Sequence, residues 1–148
     1  MASIDNIKKL RELTGAGISD CRNALDEASD NVEKAVEVIK KRGLEKATKK
    51  SERTTGQGLA FSYVHGGKIG VLVTLLCETD FVAKTEDFQK LGKEICLQVA
   101  SMNPANVEEL LAQPSIRDGS LTINDMIKGV IGKLGENIKI GEINRLQV

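Results

Sequence analysis

Aromatic residues make up only 3% of the chain, His65 is its single histidine, and Cys21, Cys77 and Cys96 are its only cysteines. Few aromatics leave the basic stretches without the stacking rings that single-stranded nucleic-acid binders use. One histidine and no Cys-x-x-Cys pair argue against a zinc site. The three cysteines are widely spaced, each within an amphipathic pattern, which fits buried reduced thiols rather than a disulfide framework. No run of about 18 apolar residues could span a bilayer. The start, Met1-Ala2-Ser3-Ile4-Asp5-Asn6, lacks the charged and apolar blocks of a signal peptide. A soluble, cytoplasmic protein with no membrane partner is expected. Net charge is also missing: 21 basic residues balance 21 acidic ones, so no overall field draws the chain toward nucleic acid. With 41% hydrophobic residues and only 2 prolines in 148 residues, an ordinary globular protein of one domain or two small ones follows.

The apolar pattern begins with a helical period. Ile4, Ile7, Leu10 and Leu13 form one stripe, Ile18, Cys21, Ala24, Leu25 and Ala28 a second, and Val32, Ala35, Val36 and Ile39 a third. Ser3, Ser19 and Asp30 are the expected N-caps, Thr14-Gly15-Ala16-Gly17 the break between the first two helices, and Gly43 the left-handed close of the third. Residues 1–43 therefore read as a three-helix module, marginal in size without support from its neighbours. Residues 44–57 continue a basic stretch, Lys40 to Arg53, that reads as a solvated linker.

At Gly58 the period changes to two. Leu59, Phe61 and Tyr63 alternate with Ala60, Ser62 and Val64, and His65-Gly66-Gly67 turns the chain into a second strand. That strand, Ile69 to Leu76, is apolar enough to lie at the centre of a sheet. Phe88, Leu91, Ile95 and Val99 then mark a helix, Pro104 is expected to start another through Leu110 and Leu111, and a last helix runs from Ile123 to Leu134 between the cap Thr122 and Gly135. The tail alternates through Ile138 and Ile140, slips at Gly141 and resumes at Ile143, as a bulged strand does. The fold class is α+β: the helical module, then a small antiparallel sheet packed with helices across residues 58–148.

Cys77, His65 and Asp80 are the residue types of a cysteine hydrolase, but the hairpin holds Cys77 and His65 about 25 Å of strand apart. Gly15-Ala16-Gly17 and Gly66-Gly67 lack the spacing of phosphate-binding loops and read as turns. The stretch Lys40 to Arg53 supports a second reading, a non-catalytic helical adaptor or RNA-associated module. Thr79-Asp80-Phe81-Val82-Ala83-Lys84 stands where an apolar strand hands over to a helix. Its local reading is a cap at Thr79 or Asp80 with Phe81 as a staple on the sheet.

Two long motifs add to this. Leu10-Arg11-Glu12-Leu13-Thr14-Gly15-Ala16-Gly17, with Asp20-Cys21-Arg22-Asn23-Ala24-Leu25 after it, resembles the N-terminal signature of the elongation factor Ts family, and Glu78-Thr79-Asp80-Phe81-Val82-Ala83-Lys84 resembles its second. The likeness continues through Asp30 to Gly43, Lys68 to Val73 and Gly135-Glu136-Asn137-Ile138, spanning nearly the whole chain in order. The resemblance implies a nucleotide exchange factor rather than an enzyme, without cofactor or metal of its own. It would bind elongation factor Tu in GDP-bound and nucleotide-free forms, with no direct contact to nucleic acid, and speed GDP release. The helical module would resemble a ubiquitin-associated domain and dock on the partner's nucleotide-binding domain. There Leu13, Thr14, Gly15, Ala16 and Gly17 are either contacts or simply a tight turn. In the family an Asp-Phe tip pushes between two partner helices and disturbs its Mg²⁺ site; those roles fall here on Asp80 and Phe81, flanked by Thr79 and Val82. The chain resembles the short type, with one half-sheet and a symmetric homodimer. Its tail, Lys139-Ile140-Gly141-Glu142-Ile143-Asn144-Arg145, departs from the arginine-rich strand usual in the family, so dimer contacts there transfer least.

Overall fold

The computed structural model describes residues 1–148. Helices α1 (Ile4–Thr14), α2 (Ile18–Glu27) and α3 (Val32–Lys50) come first. Strands β1 (Gln57–His65) and β2 (Ile69–Cys77) follow, then α4 (Asp80–Ala83), α5 (Glu86–Met102), α6 (Val107–Ala112), α7 (Ile123–Leu134) and β3 (Lys139–Gln147). The α+β class and the helical start are as the periodicity predicts. No helix is long and apolar enough to cross a membrane.

Leu10, Cys21, Ala24, Leu25, Ala28 and Ala35 form a small buried cluster within the first three helices. Ser3 caps α1 as expected, its side chain accepting the N–H of Asn6. Two other caps differ from expectation. Gly17, not Ser19, precedes α2 and makes no side-chain cap bond. Asn31, not Asp30, caps α3 by accepting the N–H of Lys34. The tight α2–α3 turn puts Asp30 at φ 61, outside the extended region an N-cap needs. Its carboxylate instead accepts the N–H of Ser3 at 3.1 Å, which lowers its pKa.

Gly43 does not end α3, which runs on to Lys50. It lies where α3 crosses α7: a Cβ on Gly132 would come within 2.7 Å of the Gly43 Cα. The glycine serves close packing of two helices rather than a cap. Helix α3 is consequently shared, with Ala35 in the small cluster and Ala47 in the main core.

The sheet is antiparallel in the order β1-β2-β3, with the apolar β2 central as predicted. Gly66 and Gly67, at φ 57 and 67, supply the two left-handed positions of the hairpin turn. The expected bulge is present: the β2–β3 register shifts between Val73 and Leu75, and the Glu142 N–H donates to Oγ1 of Thr74 at 2.7 Å. Val71, Val73, Leu75 and Cys77 face inward, under Phe88, Leu91, Ile95 and Val99 of α5. Thr122 caps α7 in a capping box with Asp125, and Gly135 closes it at φ 80, both as read from the sequence. Helix α6 starts later than expected, at Val107: Asn106 accepts the N–H of Glu109, whereas Pro104 lies outside the helix. All helices of the main core cover one face of the sheet, and the other is open. There Leu72 is 58% exposed, between Ser62 and Asn144 in the register.

Candidate partner-binding tip

The apolar run of β2 ends at buried Cys77, whose thiol donates to the carbonyl oxygen of Thr79 at 3.1 Å. Thr79 is extended and caps a single helical turn, its hydroxyl accepting the Val82 N–H at 3.4 Å. Thr85 then ends that turn and starts the next helix. Its hydroxyl donates to the Val82 carbonyl at 2.7 Å and accepts the Phe88 N–H at 3.3 Å. Two threonine caps six residues apart thus cut the short α4 out of what would otherwise be one helix.

Within α4 the side chains divide by face. Val82 and Ala83 are buried against the core, and Asp80 and Phe81 point away from it. Phe81 is 80% exposed, so the staple reading, in which it packs on the sheet, is overturned, while Thr79 as cap holds. A turn of four residues has two positions for its inner face, and the smaller, better-fitting Val82 and Ala83 occupy them. The Lys84–Asp80 pair at 3.5 Å is well exposed and contributes little.

The base of the tip is bound to residues far along the chain. Glu136 accepts the N–H groups of Glu78 and Thr79 on Oε1, at 3.2 and 2.9 Å, and the Thr79 hydroxyl on Oε2 at 2.7 Å. Glu78 in return accepts the Asn137 N–H at 2.8 Å and pairs with Arg53 at 3.6 Å. Sequence reasoning placed Gly135-Glu136-Asn137 within the family-like stretch but did not connect it to the tip, and a separation of 57 residues carries no periodic signal.

The other candidates separate. His65 pairs with Ile69 and Cys77 with Gln57, at opposite ends of the hairpin, so the hydrolase arrangement is absent. Burial, and then the nearby Glu136, push the Cys77 thiol above its ordinary pKa, the wrong direction for a nucleophile. Of the basic stretch, Lys40, Arg42, Lys46 and Arg53 pair with Glu37, Glu27, Asp20 and Glu78. Lys41, Lys49 and Lys50 form no ion pair. In the helical module, Gly15 closes α1 at φ 68, and the Thr14 hydroxyl donates to the Leu10 carbonyl while accepting the Ala16 N–H. Leu13 is 62% exposed and Ile18 57%. Residues Leu13 to Gly17 also line a cleft of about 320 Å³ against Gly43, Lys46 and Lys133.

Comparison with known proteins gives the family. The sequence profile described as Elongation factor TS matches residues 78–148. Elongation factor Ts of Leptospira biflexa is 42% identical, with 99% of this chain and 97% of that protein covered. The corresponding proteins of Fervidobacterium nodosum and Thermosipho melanesiensis are 41% and 39% identical, with 98% and 99% of their lengths covered. The Leptospira alignment runs over 192 positions against 148 residues here, so at least 44 positions of that relative have no counterpart in this chain.

Proposed function

The chain belongs to the elongation factor Ts family of translation elongation factors, and from that premise we propose that it binds GDP-loaded elongation factor Tu and promotes GDP release. The observation that carries the reading is Phe81, an exposed phenylalanine beside an acidic residue on a turn whose inner face is anchored in the core. Burying that ring against a partner would add about 1.5 to 3 kcal/mol to binding.

In this reading Asp80 and Phe81 make the wedge. Thr79 and Val82 support it, because the Thr79 hydroxyl is engaged with Glu136 and Val82 is buried. Mg²⁺ demands near-ideal octahedral geometry, so displacing one partner helix that holds a ligand loosens the ion and the phosphates without touching the nucleotide. A ten-thousandfold acceleration requires about 5.5 kcal/mol, whereas burying one phenylalanine yields roughly 1.5 to 3. A second contact is needed, and the bare Leu13 and Ile18 beside the Thr14–Gly17 turn supply an apolar surface for it. This helical, ubiquitin-associated-like module docks on the partner's nucleotide-binding domain. By linkage, the factor binds the nucleotide-free partner more tightly by the same ratio that it weakens GDP. It does no covalent chemistry, acts in the cytoplasm, and pairs as a homodimer through the open face of its sheet.

The test is release of a fluorescent GDP analogue from elongation factor Tu with and without the protein. The parent is expected to accelerate release, and Asp80→Ala with Phe81→Ala to abolish most of that acceleration while leaving the far-ultraviolet spectrum unchanged. Equal rates for parent and double variant would remove the wedge.

A further inference from the structure

A one-turn helix is not stable alone, and Phe81 has too little packed against it to fix its direction. Val82 and Ala83 hold the turn down from below. Its starting point is held from a different part of the chain.

We propose that Glu136, backed by Asn137, is the positioning residue of the Asp80–Phe81 tip, an inference that rests on the tip reading above. Three features carry it. First, Thr79 and Glu78 lie past the last paired residue of β2, where Cys77 pairs with Gln57 and Leu76 with Lys139, so their N–H groups have no strand partner. Oε1 of Glu136 takes both. Second, Oε2 takes the Thr79 hydroxyl proton at 2.7 Å, which turns that oxygen's lone pairs toward the Val82 N–H it caps. The orientation of the cap is therefore set by the carboxylate. Third, the exchange is reciprocal: the Asn137 N–H donates to Glu78, and the 2% exposed Asn137 amide donates to the carbonyls of Ser51 and Arg53 at 3.3 and 2.8 Å. Residues 78–79 are thereby braced to the α7–β3 junction and to the chain just beyond α3. Four of its bonds run to a carboxylate, which makes them the stronger kind.

A positioning role has a kinetic signature distinct from mere folding. Without the carboxylate the tip still reaches its partner but is poorly aimed, so the maximal rate falls more than the half-saturating concentration rises. In the GDP-release assay, Glu136→Ala is expected to lower the maximal stimulated rate on the order of ten- to a hundredfold. The half-saturating concentration should stay within about threefold of the parent. Glu136→Gln keeps an oxygen for the two N–H groups and should fall only several-fold below the parent. If Glu136→Ala does not fold, Glu136→Gln carries the test alone, because its amide turns N–H toward the Thr79 hydroxyl and should cost a measurable, several-fold part of the maximal rate. A parental maximal rate in Glu136→Ala, or in Glu136→Gln where only that variant folds, overturns the proposal. So does a half-saturating concentration that absorbs the whole defect. The Asp80→Ala, Phe81→Ala variant run alongside separates the two ideas. If it is slow while the Glu136 variants are fast, only the brace falls; if it is fast, the wedge falls and the brace's role with it.

Discussion

Phe81 and Cys96 lie toward opposite ends of the burial range, 80% and 1% exposed. Phe81 spends a large apolar side chain on solvent, so truncating it removes little from the folded state, and the fold tolerates the wedge variant. Cys96 is the reverse: burial alone pushes its thiol up to about 11 from an ordinary 9.0. A group whose pKa is higher in the folded state holds its full contribution below the unfolded value and loses it as pH rises through the folded one. Cys96 therefore draws stability down between pH 9 and about 11. In urea titrations across that window the parent should lose more stability than Cys96→Ala, which begins lower at neutral pH because of the space left behind. Parallel losses in the two proteins would assign the alkaline sensitivity to other groups.

Among elements, α3 does the joining. Its first half closes the helical module and its second half reaches the main core, and the join is the glycine crossing with α7. The two glycines are not equivalent. A Cβ on Gly132 would lie 2.7 Å from the Gly43 Cα and 3.0 Å from its carbonyl oxygen, whereas a Cβ on Gly43 would meet the Gly132 Cα at an ordinary 3.9 Å. Gly132→Ala should therefore separate the helices and cost about 1–3 kcal/mol. Gly43→Ala should be neutral or gain up to about 1 kcal/mol from helix propensity. Chemical denaturation of the two variants checks both signs; an equal effect would mean that the crossing is not the constraint. Because the crossing also fixes the module against the core that carries the tip, Gly132→Ala is the variant in which two-point contact with a partner would suffer.

At the scale of the whole molecule, the sheet is covered on one side only. On the open face Leu72 sits between Ser62 and Asn144, and one step along the strands Val64 and Leu146 flank Gly70. Val64 and Leu146 are exposed, like Leu72, which makes a flat apolar strip suited to a second copy. The proposed homodimer predicts that Leu72→Glu, a charge at the centre of that strip, shifts the mass measured by light scattering from dimer to monomer without unfolding the chain. A monomeric parent at the same concentrations would remove the dimer.

What the sequence determined by itself is everything that short-range chemistry writes into it. The helical and strand periods placed α5, α7, the hairpin and its turn, Thr122 and Gly135 bounded α7, and the slip at Gly141 located the bulge. These signals lie within one or two turns of the residues that obey them. Of the caps that failed, Asp30 did so within a tight turn whose left-handed angles at Ser29 and Asp30 no cap preference encodes, and Ser19 did so because α2 already begins at Ile18 after Gly17. Only the tertiary structure decided that Gly43 packs instead of capping, that Phe81 faces water rather than the sheet, and that Glu136 holds the tip from 57 residues away. Each of these depends on which surfaces meet across the fold, and close packing between distant segments leaves no period in the chain for a sequence to display.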